Sequence, residues 1–106
     1  MWLVVAGSTT SVNFPGTAGG AQPAPGGGGD AFVARLTRDL TQLVQSTYLG
    51  GSALDQGFAL SVEPGGSVYV AGGTASANFP ATTGGAQAVR AGGGDAFAAK
   101  LDGTLT

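Results

Sequence analysis

Gly27-Gly28-Gly29-Asp30-Ala31-Phe32 occurs twice in this chain, returning 65 residues later as Gly92-Gly93-Gly94-Asp95-Ala96-Phe97. Working outward, the same offset carries Val5-Ala6-Gly7 to Val70-Ala71-Gly72 and Asn13-Phe14-Pro15 to Asn78-Phe79-Pro80. It also carries Gly19-Gly20-Ala21-Gln22 to Gly84-Gly85-Ala86-Gln87, Leu36 to Leu101, and Leu40-Thr41 to Leu105-Thr106. No gap is needed, and 23 of the 40 aligned positions are identical. Chance does not produce this, even in a glycine-rich chain. Residues 2–66 make one full period and 67–106 a partial second copy, so 1–106 reads as a single partial array. Tandem units bury their apolar faces against neighbours. The expected partners are therefore neighbouring units or further copies of the chain itself.

Within each copy the apolar residues recur with a period of two, the mark of half-buried strands. Phe58, Leu60 and Val62 alternate with Ala59, Ser61 and Glu63, and Phe97, Ala99 and Leu101 with Ala96, Ala98 and Lys100. Tyr69 and Ala71 alternate with Val68 and Val70, and Phe32, Ala34 and Leu36 with Val33 and Arg35. Strands are predicted near 3–8, 31–36, 42–49, 57–63, 67–73 and 96–101, most of them bounded by Gly- or Pro-containing segments. Pro64-Gly65-Gly66 predicts a tight turn that folds 57–63 back on 67–73, because Pro presets φ and Gly accepts a positive φ. Helix formers are too sparse for a helix of useful length. The expected fold is all-β: four-stranded antiparallel propeller-blade repeats, about one and a half blades in this chain. A long loop, Thr10–Gly29 and its copy Ala75–Gly94, joins the first two strands of each copy. Tyr48, Tyr69, Phe32, Phe58 and Phe97 are expected to pack between adjacent blades.

Composition excludes several function classes. The 106 residues carry 21 Gly and 5 Pro, yet 42% are hydrophobic and 9% charged, the reverse of the balance in disordered chains. Net charge is −2 with four basic side chains, Arg35, Arg38, Arg90 and Lys100, so a nucleic-acid surface is not expected. Without Cys there is no disulfide framework, and without His as well a zinc site has only carboxylates to use. Ser-His and Cys-His pairs are absent too. No cofactor is expected. The start, Met1-Trp2-Leu3-Val4-Val5-Ala6, lacks the basic region and apolar length of an export signal, and no run approaches the ~18 apolar residues of a membrane helix. No membrane insertion is expected.

Four linked motifs resemble the SBBP family, the bacterial beta-propeller repeat. They are Gly66-Ser67-Val68-Tyr69-Val70-Ala71-Gly72-Gly73-Thr74, Asn78-Phe79-Pro80, Gly93-Gly94-Asp95-Ala96-Phe97-Ala98-Ala99-Lys100-Leu101 and Ser46-Thr47-Tyr48-Leu49-Gly50-Gly51. The chain departs from the pattern at Leu3-Val4-Val5, at Arg35 and at Glu63-Pro64-Gly65-Gly66. The resemblance implies repeats of large bacterial surface or secreted proteins, hence an extracellular or cell-surface location. It implies no reaction and no catalytic residues. The expected function is a non-catalytic structural or adhesive module that presents its inter-strand loops to a protein or a glycan. The alternative is a lectin-like blade unit with one weak sugar site per copy, multiplied by avidity.

Few residues invite a chemical reading. Phe14-Pro15 and Phe79-Pro80 are either exposed ligand-binding aromatics or anchors that pin the long loop, and recurrence in both copies favours anchoring. Asp30 and Asp95 follow glycine runs. Calcium repeats of the toxin type recur about every nine residues, so these aspartates are expected as turn residues that accept backbone N–H groups. Gly26–Gly29 and Gly92–Gly94 precede strands, whereas a phosphate loop precedes a helix. Asp55, Glu63 and Asp102 are expected to be solvated rather than paired for glycoside hydrolysis. Unpaired strand edges and an uncovered apolar face make the isolated chain prone to association.

Overall fold

The alternating runs become six antiparallel strands in the computed structural model, which describes residues 2–80 and 93–106. These are β1 (Trp2–Thr9), β2 (Asp30–Thr37), β3 (Leu43–Leu49), β4 (Asp55–Val62), β5 (Val68–Thr74) and β6 (Asp95–Leu101). No helix occurs among the described residues. All six strands fall near their predicted positions.

Their grouping differs from the expectation. The chain forms two three-stranded sheets, β1-β2-β3 and β4-β5-β6, and not a four-stranded unit over residues 2–66. The turn after β4 decides this. Gly66 N–H donates to the Glu63 carbonyl (2.8 Å), Pro64 and Gly65 occupy the bend, and Gly66 takes φ +97°. That tight reversal commits β4 to β5. The fourth strand of the period thus belongs to the next sheet, and residues 50–54 cross between the sheets.

The repeat is obeyed pair by pair. Leu3↔Leu36, Gly7↔Phe32 and Thr9↔Asp30 in the first sheet become Val68↔Leu101, Gly72↔Phe97 and Thr74↔Asp95 in the second. Glycine at 7 and 72 has a steric cause. A Cβ at either position would stand 2.9 Å from the ring of its cross-strand phenylalanine, and at Gly72 also 1.9 Å from the Gln56 carbonyl oxygen. The ring fills the space that a side chain would take.

The sheets stack face to face. Ala31, Val33 and Leu49 of the first meet Val68, Val70, Leu101 and Leu105 of the second, flanked by Val4, Ala6, Phe79, Phe97 and Ala99. Each fully buried valine contributes about 1.5–3 kcal/mol of transfer free energy. At the rim of this junction Arg35 Nη1 donates to the Gly103 carbonyl (3.0 Å).

Four of the five aromatics expected between the units lie elsewhere. Phe58 is 71% exposed, because a register shift between Gly57 and Ala59 leaves it outside the pairing. Tyr69 is on the outward face, opposite Lys100, whose Nζ stands 5.6 Å from the ring centroid. Its hydroxyl donates to Glu63 (3.0 Å). Tyr48 is buried and Phe32 half-buried, but both pack against Phe14 of the loop rather than in the inter-sheet core, where of these five only Phe97, half-buried, is found.

Candidate functional site at the sheet junction

Gly26 and Asp30 stand four residues apart, as do Gly51 and Asp55, and in both pairs the glycine N–H closes on the carboxylate. Gly26 N–H donates to Asp30 Oδ2 (2.8 Å), and Gly51 N–H donates to Asp55 Oδ2 (2.9 Å). One turn leads into β2 of the first sheet and the other into β4 of the second. Gly29 O accepts from Asp55 N–H (2.9 Å), so the turns lie side by side across the junction. Glycine is required at 50, where a Cβ would lie 2.5 Å from Asp55 Oδ2 and 2.6 Å from Asp30 Oδ1. Two carboxyl groups therefore converge on one point. Both residues are fully buried, which corrects the expectation that Asp55 is solvated.

Their surroundings are unequal. Asp55 accepts from Gly51 N–H, from Ser76 Oγ (3.0 Å) and from Thr74 Oγ1. Asp30 Oδ2 accepts from Gly26 and from Gln22 Nε2 (3.1 Å), while Asp30 Oδ1 has no donor. Burial above all, then the negative charge of Asp55, raises the Asp30 carboxyl above the ordinary 3.8 against the pull of its donors. Among the described residues no three Asp, Glu, His or Cys side chains converge as metal ligands.

Each long loop is pinned to its own sheet by a phenylalanine, the second against the inter-sheet core and the first on the opposite face of its sheet. Phe14 stacks on Phe32 with centroids 4.5 Å apart, and Phe79 on Phe97 at 4.3 Å, both tilted. Phe14 N–H donates to Tyr48 Oη (2.9 Å), and that hydroxyl donates to the Ser11 carbonyl (2.7 Å). Pro15 is exposed and Pro80 half-buried. The first loop also lines the outer edge of β3, where Gly16 O accepts from Ser46 N–H (2.9 Å) and Gln22 O from Tyr48 N–H (3.0 Å). In the second copy, Asn78 Oδ1 accepts from Ser52 N–H (2.9 Å), and Ser76 Oγ accepts from Ala53 N–H (3.0 Å). The copy-two loop thereby holds the crossing segment 50–54.

The remaining candidates are dispersed. Asp95 opens β6 opposite Thr74 and is half-buried. The run Gly27, Gly28, Gly29 has positive φ throughout, and it lies against residues 52–54. Gly84-Gly85-Ala86-Gln87, Arg90 and Gly92 fall outside the described residues. Asp102 and Asp39 organise equivalent exposed turns after β6 and β2. The Thr37 and Thr41 hydroxyls and the Thr41 N–H hold the Asp39 carboxyl at about 2. In the other turn the Thr106 N–H, with the Thr104 and Thr106 hydroxyls, holds Asp102 at about 2. The acid has moved two places between the copies and keeps threonine donors in both.

Sequence reasoning missed Asp55, Gln22, Ser76 and Tyr48 as members of these networks. The shared Gly-to-Asp spacing of four residues is the signal that could have revealed Asp55. Comparison with family models, with curated proteins and with solved structures gave no match.

Proposed function

We propose that this chain is a non-catalytic structural or adhesive repeat module, a section of a β-propeller-type array that presents its long loops to a partner. The observation that carries this reading is the repetition of one strand pair in one register. β1-β2 and β5-β6 pair identically, and their sheets stack through a core made by both. That is how a tandem array gains stability, each unit covering the next.

The strand count supports a four-stranded blade that starts at β4. In the second sheet β4 flanks β5, and in the first sheet β3 flanks β2. Superposed through the 65-residue repeat, the two sheets describe one antiparallel order: β4, β5, β6, then a strand of the β3 kind. Propeller blades are four-stranded meanders of this sort. The resemblance to bacterial beta-propeller repeats adds the expectation of a secreted or surface-bound parent. The Asp30–Asp55 pair is read as a joint between units, because both side chains are closed to solvent.

Joining about four to eight copies of the 65-residue period in tandem tests the reading by electron microscopy. Closed discs are expected. Open rods would overturn the propeller-type array.

A further inference from the structure

Several residues 65 apart have opposite exposures in the two halves of the chain. Leu3, Val5 and Leu40 are 42%, 39% and 61% exposed, whereas Val68, Val70 and Leu105, 65 residues on, are 1%, 1% and 0% exposed. The other face inverts the relation. Ala31 and Val33 are buried in the junction, whereas their equivalents Ala96 and Ala98 are exposed. The internal junction thus joins two different faces. Among the described residues, the first sheet exposes Leu3, Val5 and Leu40 on the face that the second buries, with its Phe32 end under Phe14, and the second exposes Ala96 and Ala98 on the face that the first buries. The outward face of the first sheet repeats the surface that the second presents to the core. The outward face of the second repeats the surface that the first presents to it.

We infer that these two outward faces bind each other between copies, so that a second copy of this chain docks head to tail, its first sheet on the second sheet of the copy before it. The inference rests on the stacked-repeat reading and names the surface involved. The observations that carry it are local. A hollow of about 350 Å³ lies on the outward face of the second sheet, among Ala59, Tyr69, Ala71, Ala98 and Lys100. The receiving face is lower at Ala98, which stands where Val33 does, and is walled by Tyr69 in place of Val4, while the facing surface is taller, with Leu3 in place of Val68. Leu40 has φ +64° and Leu105 φ +63°, so Leu40 already holds the backbone form that its equivalent uses in the junction. Lys100 stands where Arg35 stands. Arg35 reaches the Gly103 carbonyl, so Lys100 would reach the carbonyl of Arg38 in the next copy. The contact is heterologous and leaves a free face at each end of any assembly. It lacks the strand that β4 adds to the internal junction, so association is expected to depend on concentration.

Two surface variants test this by mass in solution. Val5→Glu charges one face and Ala98→Glu the other, both at exposed positions, with circular dichroism to verify the strand fold. The unaltered chain is expected to gain mass as concentration rises, and each variant alone to stay monomeric. An equimolar mixture retains one intact face of each kind and is expected to double in mass and stop there. A chain monomeric at every concentration, or a mixture that stays monomeric, would overturn the contact. Association that survives both substitutions would place it at strand edges and overturn it equally. None of these results alters the tandem-repeat experiment, which tests the stacked array on its own.

Discussion

Asp30 and Asp55 share a buried corner, but only one of them is supplied with donors on both oxygens. Replacing each acid by its amide should separate their roles. Asp30→Asn keeps an acceptor for Gly26 and removes the charge that burial disfavours there. The Asp30 carboxyl is raised by folding. The stability it contributes is complete below the ordinary 3.8 and is lost as pH climbs through the raised folded value. Thermal melts across this range should show that decline in the unaltered chain and its loss in Asp30→Asn. Asp55→Asn instead turns an amide toward three donors and should cost about 1–3 kcal/mol for each group left unpaired. Equal effects from the two amides would contradict the assignment. Asp39 and Asp102 carry the opposite sign. Their carboxyls lie at about 2, so what they contribute is present above 3.8 and fades as pH falls toward 2. Melts below pH 4 should show Asp39→Asn losing less with acid than the unaltered chain.

The strands were legible because their signal is local: period-two alternation places β2, β4, β5 and β6, and short apolar runs place β1 and β3. The Glu63–Gly66 turn was legible for the same reason, since Pro and Gly dictate their own φ. Gly66→Ala should cost about 1–2 kcal/mol in denaturant titration, because φ is +97° but the position is open. Gly72→Ala should be far worse, because the Gln56 carbonyl stands where the new methyl would go. Sequence reasoning failed where pairing is decided at a distance. Phe58 obeys the alternation on paper, and a one-residue register shift turns it outward. Asp55 looks like any turn aspartate until Gly29, 26 residues earlier, takes its N–H. The pairing of β4 with β5 follows from the Glu63–Gly66 turn and is found; what stayed hidden is that it carries the fourth strand of the period into the second sheet, because repeat periods and sheet boundaries need not coincide. The loop anchored through Tyr48 gives another test at this scale. Tyr48→Phe strands Phe14 N–H and the Ser11 carbonyl, and should lower stability by about 1–2 kcal/mol with the strand spectrum intact.

At the scale of the molecule, stability is a property of the number of stacked units. Polypeptides with one, two and three further periods should unfold at successively higher denaturant concentrations, with steeper transitions. A midpoint independent of length would mean that the sheets fold alone. The loop of the first copy bears on how such a family of repeats could change with time. It guards the edge of β3 through the carbonyls of Gly16 and Gln22, so its protection depends on backbone path more than on side-chain identity. Val12, Pro23 and Ala24 are exposed and take no part in that guard. Mutation there can sample new surfaces without opening the sheet to fibril growth, and natural or laboratory selection could diversify the loop at little risk to solubility.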